Sequence, residues 1–203
     1  MKQPVIYFKN YMLRDIEVSD AKDMFEYGSD MDVVKFLSWG PYVDESEAVA
    51  SIKKFFLSRP DRGLPVGYAI IDLEKNKMIG TIDIHTKVSD GVYEIGYALN
   101  KHYWGKGIMT EALRKLLEVS FWYHSFDKIV IGHAVDNVAS EQVIKKNGFI
   151  FEKTDYERAY NRFTGQTDPS KWYYLTKENF KWVKSKLKEH MMYYLMNLKD
   201  GLH

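Results

Sequence analysis

Two glycines, Gly105 and Gly107, stand where an alternating stretch, Tyr93–Leu99, gives way to an amphipathic one that begins at Ile108. A strand that runs into a glycine turn at a helix N-terminus can hold an anion. The first-turn N–H groups have no intrahelical partners there, and the helix dipole favours negative charge. A glycine pair alone is also ordinary turn chemistry. Period-two alternation puts Glu94 on one strand face with Gly96 and Ala98, two small residues that leave room beside a carboxylate, and Tyr93, Ile95 and Tyr97 on the other. By the same parity Thr81, Asp83 and His85 share a face of the preceding strand. Glu94 is the first candidate for moving a proton, with Asp83 and His85 as alternatives and a merely solvated carboxylate as the plain reading. His133, inside the apolar run Lys128–Val135, reads as a core histidine.

Two phosphate motifs can be tested against the glycines and both fail on context. A P-loop requires G-x-x-x-x-G-K-[ST], whereas Lys106 sits between the two glycines. A dinucleotide fold places G-x-G-x-x-G after the first strand of a βαβ unit with an acid about 20 residues on. Here Thr110 occupies the third glycine position, and three consecutive strands precede the turn.

Those strands are read at Gly67–Leu73, Met78–His85 and Val92–Leu99, joined by the polar turns Glu74-Lys75-Asn76-Lys77 and Ser89-Asp90-Gly91, and are therefore expected to be antiparallel. Met109, Ala112, Leu113, Leu116, Leu117 and Ser120 mark the buried face of a long helix after the turn. The strand Lys128–Val135 follows at a spacing that predicts parallel pairing with Val92–Leu99. A helix from Asn137 carries Ser140, Val143, Ile144 and Asn147 on one face and stops at Gly148. Upstream, an edge strand within residues 5–18 leads to a helix with Ser19 as N-cap, and Asp44 with Glu47 forms a capping box for a second helix that Pro60 ends. Phe149–Ala159 and Lys171–Thr176 read as a final antiparallel pair, and Thr176 caps a last helix with an apolar stripe from Phe180 to Leu198. The order β-α-α-β-β-β-α-β-α-β-β-α is one mixed α/β domain over residues 1–203.

Composition narrows the function classes. With 29 Lys+Arg against 28 Asp+Glu the formal charge is +1, which gives no support for a nucleic-acid binder. The absence of cysteine excludes disulfides, thiolate metal sites and a cysteine nucleophile, and fits a reducing cytosol. The N-terminus has no apolar signal-peptide core, and no apolar run approaches the roughly 18 residues of a membrane span. The expectation is a cytoplasmic protein with no membrane or metal partner.

The succession YEIGYAL, WGKG, IMTEALRKLL, the buried strand, Asn137-Val138-Ala139-Ser140 and Lys146-Asn147-Gly148-Phe149 resembles the GNAT acetyltransferase superfamily. It is most similar to the branch holding the Rim-type ribosomal-protein N-terminal acetyltransferases. The resemblance spans residues 11–178 and takes in an LRD strand with its capped helix and the KWYYLTKENF ending. It implies the acyl-CoA N-acyltransferase fold: a mostly antiparallel sheet with one parallel pair, helices on both faces, and here an extra C-terminal helix over residues 177–199.

It also implies acetyl-CoA as co-substrate and a primary amine as acceptor, either a protein N-terminus or a small molecule such as a polyamine or aminoglycoside. In the family the turn R/Q-x-x-G-x-G/A grips the pyrophosphate through main-chain amides, which carries over to Trp104, Gly105, Lys106, Gly107, Ile108, Met109 and Thr110. Trp104 replaces Arg or Gln, and Met109 stands where the family has a small residue, a departure that would crowd the phosphate or change its pose slightly without abolishing a binding made by main-chain contacts. The main chain of Tyr97, Ala98 and Leu99 would pair with the pantetheine arm, and Asn137 would bond the arm or adjacent backbone, besides serving as a helix cap. Glu94 would be the base, with Asp83 and His85 still open. Ser140 would protonate the departing thiolate, or be a small packing residue. Trp39 and Tyr42 in the connection Phe36–Tyr42, and Arg158 and Arg162 in the loop around Tyr156–Phe163, would meet the acceptor. The last helix would be covered by this chain or by a second protomer, giving a monomer or a homodimer. A catalytically silent acyl-CoA-binding domain is the rival from another class.

Overall fold

The computed structural model describes residues 3–161 and 165–180. Among these, eight strands form one sheet: β1 (Ile6–Phe8), β2 (Tyr11–Asp15), β3 (Tyr68–Asp72), β4 (Lys77–Ser89), β5 (Val92–Leu99), β6 (Lys128–Ala134), β7 (Ile150–Asn161) and β8 (Gln166–Thr176). Their spatial order is β1-β2-β3-β4-β5-β6-β8-β7. Neighbours run antiparallel except β5 and β6, which are parallel. The predicted hairpins are thus β3-β4-β5, and the parallel step follows from the crossover through a helix.

Helices cover both faces. On one lie α1 (Ala21–Gly28), α2 (Met31–Val34) and α3 (Glu45–Ser51), whose Met24, Val34 and Ala48, with Ile52 just after α3, pack with Ala69, Ile71 and Ala98 of the sheet. On the other lie α4 (Ile108–Glu118) and α5 (Val138–Lys146), packed on Ile82, Ile95, Ile129 and Ile131. The stripe read for the helix after the turn is buried throughout, and Leu113, Leu116 and Leu117 are fully buried. Each such leucine contributes about 1.5–3 kcal/mol of apolar burial, which fixes the direction in which the N-terminus of α4 points.

Local details differ from the sequence reading for identifiable reasons. The N-terminal edge strand is a hairpin, β1 and β2, because Lys9 takes a left-handed conformation (φ 48) without a glycine to announce it. Ser19 is not the N-cap of the first helix. Residues Val18–Asp20 form a 3-10 turn in which Asp20 accepts from Glu17 N at 2.8 Å and takes the Arg14 guanidinium in a fork at 2.6 and 2.8 Å. A buried, charge-assisted carboxylate outcompetes a serine hydroxyl for that place. Asp44 caps α3 as read, but Glu47 reaches back to Val43 N (2.7 Å) rather than to the cap residue's own amide. The segment read as a loop around Tyr156–Phe163 is strand as far as Asn161, with a register shift between Asp155 and Ala159. Thr176 accepts from Asn179 N at 3.2 Å as a cap would. The helix read beyond Phe180 and the dimer it suggests lie outside the described residues, as do Arg162, Phe163 and the side chain of Arg158.

Candidate active site

The site begins where the sheet opens. β5 and β6 pair over three residues only, Val92–Glu94 against Lys128–Val130, although β5 continues to Leu99 and β6 to Ala134. Beyond Glu94 the two strands part, and β5 presents an edge without a strand on that side. Two cavities occupy the opening, one of about 510 Å³ toward the glycine turn and one of about 850 Å³ toward α1 and α3. They share Phe36, Tyr97, Ala98, Asn137 and Ser140, so the walls of one continue into the other at that junction.

The smaller cavity gathers most of the residues read as an anion cradle. Tyr97, Ala98, Leu99, Trp104, Gly105, Gly107, Ile108, Met109, Thr110, Asn137 and Ser140 all line it. Gly105 and Gly107 both have φ 73, a left-handed backbone that an L side chain adopts at a cost of about 1–2 kcal/mol. Gly107 is the N-cap of α4, and the amides of the helix's first turn follow it. Trp104 donates its indole N–H to Leu99 O at 2.7 Å, which ties the turn to the end of β5. Lys106 differs from its neighbours: its ammonium donates to His102 O at 3.0 Å and it does not line the cavity. Met109 is 5 % exposed and packs in the core cluster while also lining the cavity, so most of its bulk is taken up by the core.

At the junction Asn137 caps α5, its Oδ1 accepting from Ser140 N at 3.0 Å. Ser140 Oγ lies 2.7 Å from the Tyr97 hydroxyl, which also donates to Ser140 O at 3.2 Å. Burial pushes the Tyr97 phenol well up from its ordinary value, against a smaller opposing effect of the Ser140 bond, so it stays protonated. The sequence reading used Tyr97 for its main chain alone; its hydroxyl is a finding of the structure. Glu141, the next residue on α5, holds this helix to β8 by accepting from Tyr173 OH (2.8 Å) and pairing with Lys171 (3.3 Å), and it also pairs within the helix with Lys145 (2.7 Å).

The larger cavity carries the acid–base candidates. Glu94, Asp83 and His85 all line it, as the strand parity predicts, and Trp39 and Tyr42 stack at 5.3 Å in its wall. The structure separates the three candidates. Asp83 is buried against Arg59, with Nη2 3.1 Å from Oδ1 and both side chains under a tenth exposed. The contact is charge–charge rather than an aligned hydrogen bond, since Arg59 Nε and Nη1 and Asp83 Oδ1 have no hydrogen-bond partner. His85 and Glu94 instead face each other, Nε2 to Oε1 at 3.9 Å. Arg59 gave no signal in the sequence, where it reads as the charged end of a helix before Pro60. Its partner lies on a strand 24 positions further on, and no local pattern encodes that pairing. His133 is 6 % exposed, bonds Ala134 O through Nδ1 at 2.8 Å and stacks on Tyr173, although it also reaches the larger cavity's wall. Burial lowers its proton affinity. No helix among the described residues is long and apolar enough to cross a membrane, and no cluster of three metal-ligating side chains is found among them.

Comparison with known proteins agrees with this geometry. Residues 10–150 match the family model described as "Acetyltransferase (GNAT) domain". An uncharacterized N-acetyltransferase, p20, of Bacillus licheniformis is 30% identical over 77% of this chain and 89% of its own length. A ribosomal-protein-serine acetyltransferase of Escherichia coli is 29% identical over 57% of this chain and 64% of its own. Among solved structures, RimL, a ribosomal L7/L12 alpha-N-protein acetyltransferase in complex with coenzyme A, superposes with a TM-score of 0.75. It is 23% identical, over 85% of this chain and 98% of its own, and at that identity the likeness concerns the fold. The opened parallel pair, the glycine turn ahead of α4 and the match across most of the chain lead to one conclusion: this protein belongs to the GNAT acetyltransferase family.

Proposed function

We propose that the chain moves acetyl from acetyl-CoA to a primary amine, a protein N-terminus or a small-molecule amine, by direct attack and without a covalent enzyme intermediate. The observation that carries this reading is the junction at Tyr97, Asn137 and Ser140, where a cavity rimmed by the glycine turn meets one rimmed by carboxylates. Three features fit the donor. Gly105 and Gly107 have no heavy atom within 4 Å of where a Cβ would stand, leaving the approach to the α4 amides open. The β5 edge past Glu94 offers main-chain groups for an extended amide-bearing arm. Met109 packs in the core cluster, which takes up most of its bulk beside the turn.

The amides of Ile108, Met109 and Thr110, with the α4 dipole, would hold the pyrophosphate. The main chain of Tyr97, Ala98 and Leu99 would hold the pantetheine, with the Asn137 amide group beside it. When bound, acetyl-CoA supplies an acetyl group activated as a thioester. Glu94 takes a proton from the acceptor ammonium, whose ordinary pKa lies near 8 for an α-amine or about 10.4 for lysine, so that its nitrogen can attack. Ser140 offers its hydroxyl proton toward the departing sulfur and regains one from the acetylated nitrogen, while the Tyr97 hydroxyl, 2.7 Å away and kept protonated by burial, orients it. Asp83 is the weaker candidate for base, because neutralising it would leave the Arg59 charge buried without a counter-ion.

Thiol release from acetyl-CoA across a panel of amines tests the reading. Amine-dependent release above the hydrolysis background is expected. Tight CoA binding with no release for any amine would favour the silent acyl-CoA-binding rival. Mass spectrometry of cell extract incubated with the enzyme and labelled acetyl-CoA would then identify the acceptor.

A further inference from the structure

His85 occupies an irregular place in the sheet. β4 and β5 pair in register from Gly80↔Leu99 to Ile84↔Ile95, and the next pair is Thr86↔Glu94, so His85 is the extra residue of a β-bulge. A bulge re-aims the side chain it carries and is common beside active sites. Here the ring lies over Gly96, where an added Cβ would come within 3.2 Å of both Cδ2 and Nε2. Nδ1 is held by the Thr86 hydroxyl at 2.8 Å, and Nε2 is left facing Glu94 Oε1 at 3.9 Å. That separation exceeds a direct hydrogen bond and suits a bridging water or a small carboxylate rotation. The two groups differ in access to solvent: the Glu94 side chain is 14 % exposed and the His85 side chain 33 %. Asp83 lies two residues back on β4 but is committed to Arg59.

We propose that His85 is the proton exit of the site, the group through which Glu94 regains its carboxylate after taking a proton from the acceptor. The proposal rests on the amine-acetylation reading above. In the balanced step a bond forms between the amine nitrogen and the acetyl carbonyl carbon, and the carbon–sulfur bond breaks. The ammonium sheds two protons in all. One ends on sulfur; the other passes from Glu94 to His85 Nε2 and then to water, and no oxidant or reductant takes part. Gly96 serves the same end, since a Cβ there would come within 3.2 Å of the ring and press it away from β5 by a few tenths of an ångström.

The test has two arms. In the free protein, the ring-nitrogen NMR signals of His85 should differ between wild type and Glu94→Gln; identical signals would overturn the pairing. In turnover, His85→Ala should lower kcat on the order of tenfold, less than the 10²–10⁴-fold typical of losing a general base, with KM for both substrates unchanged. Added imidazole should restore the rate. An unchanged kcat, or a loss that imidazole does not restore in a folded variant, would overturn the proposal. If His85→Ala does not fold, His85→Ser, which keeps a polar residue at the bulge, should give the same imidazole-sensitive loss. A wild-type protein that releases no thiol with any amine defeats the transfer reading itself, and the NMR arm still decides whether Glu94 and His85 are coupled.

Discussion

The two cavities that meet at Tyr97 and Ser140 are built from different materials. The glycine-turn side is rimmed by the end of β5, two left-handed glycines and the first turn of α4, where main-chain amides without helical partners are available. On the opposite side the candidate acid–base groups are side chains, Glu94, His85 and Asp83, brought from two strands, with Arg59 paired to Asp83 and a bulge at His85. A main-chain site depends on conformation and tolerates exchange of many side chains. A side-chain site depends on identity at each position. Substitutions on the two sides should therefore fail in different ways.

The largest effect is expected at Glu94. Glu94→Gln should lower kcat/KM for the amine by roughly 10²–10⁴-fold while the affinity for CoA stays unchanged, as read by steady-state kinetics and calorimetry. Loss of CoA affinity in that variant would erase the distinction between the cavities. Next comes the buried ion pair. Asp83→Asn leaves Arg59 charged and unpaired at 5 % side-chain exposure, and should cost about 3–5 kcal/mol in chemical denaturation. A folded Asp83→Asn protein that still turns over would sharpen the assignment of the base to Glu94, whereas complete loss of kcat without loss of stability would transfer that role to Asp83.

Ser140→Ala should act at the junction and more mildly. Tyr97 loses its 2.7 Å partner but keeps the Ser140 carbonyl, so stability should fall by about 1 kcal/mol and kcat by about tenfold, with KM little changed. A smaller effect separates the sides by pH. Lys145, then Tyr173 and Lys171, hold the Glu141 carboxyl down at about 2 from its usual 4.5. A depressed carboxyl contributes stability above its unfolded pKa and loses it as pH falls through the folded one. The clamp of α5 on β8 should thus weaken between about pH 5 and about pH 2, and Glu141→Gln should flatten that acid limb in thermal unfolding. An unaltered acid limb would mean that Glu141 does not anchor the helix carrying Asn137 and Ser140.

The same contrast explains what could be read from the chain alone. The glycine turn, the buried face of α4, the β3-β4-β5 meander and the parallel step to β6 follow from local periodicity and turn chemistry, and each appears at or near its expected limits. The family resemblance drew on those same local features. The sharing of a face by Thr81, Asp83 and His85 was also legible, because strand parity is local. The Arg59–Asp83 pair, the Tyr97–Ser140 bond and the bulge at His85 were not, since each depends on a register or packing between distant segments. Lys106 and Met109 show the limit from the other direction. Both belong to the turn motif by position, yet one is drawn to His102 O and the other into the core by contacts that a motif does not contain.

The most direct measurement is a calorimetric titration of CoA into three proteins: wild type, Gly107→Val and Glu94→Gln. A valine disfavours φ 73 by about 1–2 kcal/mol, so the free Gly107→Val turn should relax out of the binding conformation and bind CoA about tenfold more weakly, while Glu94→Gln should bind it like the wild type. A wild-type protein that does not bind CoA, or a Gly107→Val protein that binds it as tightly as the wild type, would contradict the account.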